Sequence, residues 1–315
     1  MSTIDSTISE RVNTWLNGNY DEQTKSALRK LIDSNQPEEL TDAFYKDLDF
    51  GTGGLRGIMG VGSNRVNKYT IGAATQGLSN YLKMQFPGEQ IKVAIAFDNR
   101  NNATTFAKVV ADVFSANGIQ VYAFEHLRPT PELSFAIRQL RCHSGVMLTA
   151  SHNPKEYSGY KAYWNDGGQI IAPHDKNIIA EVNKITSIDM INFVGNPKLI
   201  NTIGTEMDDL FIDTVKSVSI NPDAIKSQHD LKIVYSPIHG TGITIVPKAL
   251  AAVGFTNVNL VEEQCVVDGN FPTVIYPNPE EKEAMTRALQ LAAKIDADLV
   301  MATDPDADRV GIAVK

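Results

Sequence analysis

The densest chemistry in the chain lies close to its C-terminus. Asp304-Pro305-Asp306-Ala307-Asp308-Arg309 sets three carboxylates at alternate positions in one short loop. At an effective dielectric near 20, two such charges about 4 Å apart repel by roughly 4 kcal/mol. A bound cation removes that cost, and an all-oxygen ligand set selects Mg²⁺ or Ca²⁺. An EF-hand is excluded: its sixth position needs glycine where Arg309 stands, and its twelfth needs glutamate where Lys315 stands. The bland alternative is a solvated acidic turn, and the apolar segment feeding straight into the loop weighs against it. Mg²⁺ is commonly held by a few carboxylates plus a phosphate oxygen, so the loop also asks for a phosphorylated partner.

A second loop, Thr149-Ala150-Ser151-His152-Asn153-Pro154, puts a hydroxyl beside an imidazole at the end of an apolar run. Serine becomes a useful nucleophile only when a base or a cation activates it. Once phosphorylated, Ser151 would carry about −1.5 to −2 charge and three acceptor oxygens. Without such a role, Ser151 and Asn153 would simply bond their own backbone in a turn. A third segment, Gly51-Thr52-Gly53-Gly54-Leu55-Arg56-Gly57, could bring backbone N–H groups and the Arg56 fork to an anion. It is neither a Walker loop nor a dinucleotide fingerprint, and a plain flexible loop is its alternative. Lys161, ten residues beyond Ser151, is either a solvated lysine or a charge clamp and proton carrier. His239-Gly240-Thr241-Gly242, at a strand exit opening a helix, is either an anion nest or a helix-start turn, and as the latter it is left outside the site.

The elements that must carry these loops follow from apolar patterning. The first fifty or so residues read as helical, from Val12, Trp15 and Leu16 and then Leu28, Leu31 and Ile32, with Pro37 opening a further short helix. Strands are expected at 92–98, 119–125 and 144–150, and helices at 103–118 and 131–140, the latter capped by Thr130 with Pro131 at its first position. YKAYW and QIIA flank Asn165-Asp166-Gly167-Gly168, the chemistry of a β-hairpin. The order then repeats, with strands at 231–237, 257–263, 298–304 and 309–315 and helices at about 243–253 and 279–295. This predicts an α/β chain of two tandem βαβαβ domains with mostly parallel mixed sheets, plus an N-terminal helical extension. The divisions fall at 1–204 (extension and serine-loop domain) and 205–315 (acidic-loop domain), joined through a loop at 195–205. Ligands of open parallel sheets collect at the carboxyl ends of the strands. Both unusual loops follow the third strand of their set.

Composition narrows the functional classes. The 29 basic and 37 acidic residues give a net charge of −8, which disfavours nucleic acid or an anionic membrane surface as partners. Cys142 and Cys265 make no disulfide framework and match no zinc spacing. The N-terminal residues carry acids and no apolar segment, so a signal peptide is not expected, nor is a membrane span; a cytoplasmic enzyme is the expectation.

With these motifs in hand, the chain resembles the α-D-phosphohexomutase superfamily of phosphoglucomutases and phosphomannomutases, from about Leu48 onward. TASHNP resembles the family's phosphoserine loop and DPDADR its magnesium loop. FGTGGLRG with Asn64-Arg65-Val66-Asn67 looks most like the phosphoglucomutase/phosphopentomutase branch with a long N-terminal helical extension. The resemblance implies that Ser151 carries a phosphoryl group and is the fourth Mg²⁺ ligand beside Asp304, Asp306 and Asp308. It implies that Arg309 steadies the phosphoserine or the substrate, that Arg56 and Lys161 flank the phosphoryl group with Lys161 as a general-base candidate, and that His152 assists. The implied reaction interconverts a sugar 1-phosphate and 6-phosphate, glucose first among them, through a sugar 1,6-bisphosphate. Two further domains of the family have no counterpart in the 315 residues, so the expectation is an N-terminal portion with weak or absent turnover, and oligomeric state stays open. Two rivals stand: a haloacid-dehalogenase-like Mg-dependent phosphatase with Asp304 as nucleophile, and a non-catalytic sugar-phosphate-binding module.

Overall fold

The computed structural model describes residues 5–34 and 36–315. Three helices, α1 (Ser6–Asn17), α2 (Glu22–Asp33) and α3 (Pro37–Phe44), form the N-terminal extension, as expected; residues 1–4 and 35 lie outside the described residues. Asp5 and Asp21 cap α1 and α2 by accepting from Thr7 N and Thr24 N. The amphipathic faces bury Ile8, Val12, Trp15 and Leu28 against Phe44 and Tyr69.

The first sheet has six strands: β1 (Gly54–Ile58), β2 (Lys92–Phe97), β3 (Gln120–Phe124), β4 (Ser144–Leu148), β5 (Tyr157–Trp164) and β6 (Ile200–Ile203), in the order β1-β5-β4-β2-β3-β6. Strands β4, β2, β3 and β6 run parallel, while β5 is antiparallel to both β4 and β1. The central strands β2 and β4 are apolar and almost wholly buried because helices cover both faces. Those helices are α4 (Lys68–Gln85), α5 (Ala103–Ala116), α6 (Thr130–Gln139) and α7 (His174–Val182). Gly118, at φ +78, follows α5 as a C-terminal cap should.

The second sheet, β10-β9-β7-β8, comprises β7 (Ile233–Ser236), β8 (Val258–Leu260), β9 (Leu299–Thr303) and β10 (Val310–Val314); β7, β8 and β9 are parallel and β10 is antiparallel to β9. Helices α8 (Thr205–Ser217), α9 (Pro222–Ser227), α10 (Gly242–Val253), α11 (Glu262–Cys265) and α12 (Lys282–Ile295) complete the chain. Among the described residues no helix is long and apolar enough to cross a membrane.

Four local expectations change. The loop expected at 195–205 contains β6, which extends the first sheet by pairing with β3. The glycine-rich segment at 51–57 is not a free loop: from Gly54 it is strand β1, and a Cβ at Gly54 (φ +141) would lie 1.8 Å from Tyr160 O. The second arm of the hairpin shrinks to a single bridge, Tyr163 to Gln169, because β1 takes the rest of that edge of β5. Finally, Thr130 is the first residue of α6 and Pro129 its cap, so the Thr130 hydroxyl is free to bond elsewhere.

Candidate active site

The serine loop leaves β4 through Thr149, whose Oγ1 accepts the backbone N–H of Ser151 at 2.8 Å. Ser151 then adopts φ +52, a conformation unusual for a residue with a side chain. What holds it there is Arg100, just beyond β2. Its buried guanidinium donates to the carbonyls of Ser151 (2.7 Å), Asn153 (2.5 Å), Pro154 (2.7 Å) and Tyr157 (2.9 Å). Asp98 sits 3.5 Å from Arg100 Nε, fully buried, and burial raises its carboxyl to about 6 despite the guanidinium. Sequence reasoning missed both residues; their only signal was their place at a strand exit.

The acidic loop leaves β9 and is clamped from the turn before α10. Thr241 donates through its N–H (2.8 Å) and its hydroxyl (2.9 Å) to Pro305 O, and Gly240 packs so closely that a Cβ would stand 2.5 Å from Pro305 Cα. The turn that sequence reasoning set aside therefore shapes the acidic loop.

The two loops meet. Ser151 Oγ, in a residue 1 % exposed, donates to Asp304 Oδ2 at 2.8 Å and lies 3.2 Å from His152 Nδ1. Lys161, on β5, donates to Asp306 Oδ2 at 2.7 Å and Asp308 Oδ2 at 2.8 Å. Thr130 donates its hydroxyl to Asp306 Oδ2 at 2.8 Å. Arg56 reaches into the serine loop, donating to Asn153 Oδ1 at 2.9 Å. Arg309 donates its N–H to Asp304 Oδ1 at 3.1 Å, whereas its half-exposed guanidinium turns to Glu280 Oε1 at 3.0 Å.

The electrostatics follow from burial. Asp304 is pushed up to about 8 by burial first and then by Asp306 and Asp308. Burial pushes Asp306 up as well, but the Lys161 ammonium more than offsets it and the net shift is downward. Lys161 loses some basicity to burial and gains more from the two aspartates, so it is held as a cation. His152 is lowered, by burial and then by Arg309 and Arg56, which favours the neutral imidazole.

Asp304, Asp306 and Asp308 can each offer one ligand oxygen, all within 4.8 Å of one another. Among the described residues, Asp306 Oδ1 is buried with no hydrogen-bond partner. A buried carboxylate oxygen left bare, beside an aspartate whose charge is suppressed by its neighbours, is the environment a hard divalent cation corrects. The residues present fit Mg²⁺.

Comparison with known proteins matches two successive parts of the chain. The family model for phosphoglucomutase/phosphomannomutase α/β/α domain I matches residues 47–189, and that for domain II matches 209–315. A phosphoglucomutase of Staphylococcus haemolyticus is 37% identical over 286 residues, covering 91% of this chain and 52% of that protein. A human phosphopentomutase is 37% identical over 324 residues, covering 99% of this chain and 53% of that protein. The crystal structure of a Thermus thermophilus protein assigned as a phosphomannomutase superposes with a TM-score of 0.70 at 25% identity, covering 85% of this chain and 57% of that one. The chain thus spans about half the length of the curated relatives it matches.

Proposed function

Since this chain belongs to the phosphoglucomutase/phosphomannomutase family, we propose that it carries the phosphoryl-transfer half of a sugar-phosphate mutase site, with Ser151 as the phosphoryl carrier. The observation that supports this most directly is the 2.8 Å bond from Ser151 Oγ to Asp304 Oδ2, which joins residues 153 positions apart. Among the described residues, it sets a buried hydroxyl against the one group of acidic side chains close enough together to hold a divalent ion.

Asp304, Asp306 and Asp308, with an oxygen of Ser151, would hold Mg²⁺. When bound, the ion supplies charge neutralisation for the phosphoryl oxygens. The transfer itself is an exchange of bonds. The P–O bond to Ser151 breaks as a P–O bond to a sugar hydroxyl forms, and the hydroxyl's proton ends on Ser151 Oγ. His152, neutral and 3.2 Å from Oγ, is the side chain placed to relay it. Lys161 suits the part of a cationic clamp better than that of a base, because Asp306 and Asp308 hold its proton. Arg56, bonded to Asn153 of the serine loop, offers a fork for phosphate oxygens. Arg309 would join it only by leaving Glu280.

The proposed substrate is a sugar 1-phosphate, with glucose favoured and pentose open, and the 1,6-bisphosphate is the intermediate. The test is intact-mass and peptide analysis after incubation with glucose 1,6-bisphosphate and Mg²⁺. One acid-stable phosphate on Ser151, absent in Ser151→Ala, is the expected result. A hydroxylamine-labile phosphate on Asp304 would replace the reading with an aspartate-based phosphatase. Thermal stabilisation by the sugar phosphate without any label would leave a binding module.

A further inference from the structure

Thr130 opens α6 and reaches across the cleft to the acidic loop. Its hydroxyl donates to Asp306 Oδ2 at 2.8 Å and its backbone N–H donates to Asp306 O at 2.9 Å. One residue of the first sheet's framework thus grips one residue 176 positions away at two points. Both partners are buried, Thr130 at 7 % exposure and Asp306 at 0 %. The N–H is available because the first amides of a helix have no partner within it, and the helix start favours an acidic group beside it.

The division of labour at Asp306 is uneven. Oδ2 accepts from Thr130 and from Lys161 Nζ at 2.7 Å, whereas Oδ1 has no partner among the described residues. Two donors on one oxygen fix the rotation of the carboxylate, and the other oxygen is left bare in a set direction. A freely rotating carboxylate would have to lose that freedom when it took a ligand. Lys161 alone would not fix it, because the same ammonium is shared with Asp308. Neutral Thr130 adds no charge to the site and competes for no cation. Its single hydroxyl serves orientation.

We propose that Thr130 is a positioning residue for the divalent-ion site, holding the Asp306 carboxylate so that Oδ1 is presented as a ligand atom. The inference rests on the metal-ion reading above and adds to it a residue from outside the acidic loop.

The experiment is a Mn²⁺ titration of the 315-residue chain by calorimetry and by electron paramagnetic resonance, with thermal melts in parallel. Thr130→Val and Thr130→Ala delete the hydroxyl, Thr130→Ser keeps it, and Asp304→Asn is the control for the metal site. Loss of an outer-shell partner typically weakens metal affinity by about 10–100-fold, so Val and Ala are each expected to lose at least about tenfold. Thr130→Ser is expected to restore wild-type affinity even if it melts lower, because the hydroxyl and not the methyl carries the effect. The proposal is overturned if either hydroxyl-deleted variant folds and keeps wild-type affinity. It is equally overturned if affinity follows melting temperature across the three variants. Wild-type binding that Asp304→Asn abolishes and Thr130→Val spares removes the positioning role alone. No Mn²⁺ binding by the wild type removes the metal-ion reading and this role together.

Discussion

Arg100→Met tests how the serine loop is held, and its effect can be worked out from the site. The substitution deletes four bonds to loop carbonyls, but three of those carbonyls are only partly buried and water can replace the guanidinium there. The bond to Ser151 O is fully buried. Leaving that carbonyl bare costs about 1–3 kcal/mol. The second effect runs through Asp98, which would stand buried without its cation. A buried unpaired charge can cost about 3–5 kcal/mol, but a carboxylate escapes that cost by taking up a proton. In the wild type Asp98 is already raised to about 6, so at pH 6 the two proteins should differ little through this group. A raised acid contributes stability that is complete below its unfolded value and lost as pH rises through its folded value. Removing Arg100 moves the folded value higher and prolongs the loss. The extra destabilisation should therefore grow by about 1.4 kcal/mol per pH unit above 6. The sum is about 3 kcal/mol at pH 7 and more at pH 8. Urea unfolding at pH 6, 7 and 8 measures it, and Arg100→Met/Asp98→Asn should lose the pH slope while keeping the lost-bond part. Hydrogen exchange should quicken in residues 151–157 before the β2 amides change. A destabilisation under about 1 kcal/mol, or one independent of pH, would refute the reasoning.

Two further outcomes follow from the same geometry. Among the described residues Glu132 is buried with no hydrogen bond to either oxygen, Arg128 Nε standing 3.8 Å from Oε2, and burial, then Asp208, raise it to about 9. Its stabilising contribution is complete below about 4.5 and drains away as pH rises toward 9. Glu132→Gln should therefore melt close to wild type at pH 5 and well above it at pH 8; parallel melting curves would show that Arg128 keeps the carboxylate charged. Gly240→Ala drives a methyl into the Pro305 backbone, where neither side can yield cheaply. A loss of about 1–3 kcal/mol is expected, with weaker Mn²⁺ binding by calorimetry, and unchanged binding would mean the turn does not shape the acidic loop.

The parts of this site that sequence reasoning reached were those with a local signature. Ser151 and the three aspartates stand where apolar strands give way to polar residues, and period and composition show such places; Lys161, inside β5, was reached only as a lysine ten residues beyond Ser151. What escaped was the support. Arg100 and Thr130 act through partners 51 and 176 positions away, and neither has a sequence neighbourhood that announces the bond. Strand β6 is four residues long and gains its identity only from β3 beside it. Helix α4 went unread because it is buried on nearly every side and carries Gly72 and Gly77, so its pattern shows no polar face. The glycines around position 54 looked like an anion cradle, whereas Gly54 exists because β5 passes too close for a side chain.

The bond between Ser151 and Asp304 also has a meaning in time. A ribosome adding roughly 5–20 residues per second needs about 8–30 s to travel the 153 positions between them. Once β6 has been made the first sheet can complete, yet until the acidic loop follows Lys161 has neither of its aspartates and Thr130 has no carboxylate to hold. A nascent chain therefore passes through a stage with a finished scaffold and an unneutralised ammonium in its crevice.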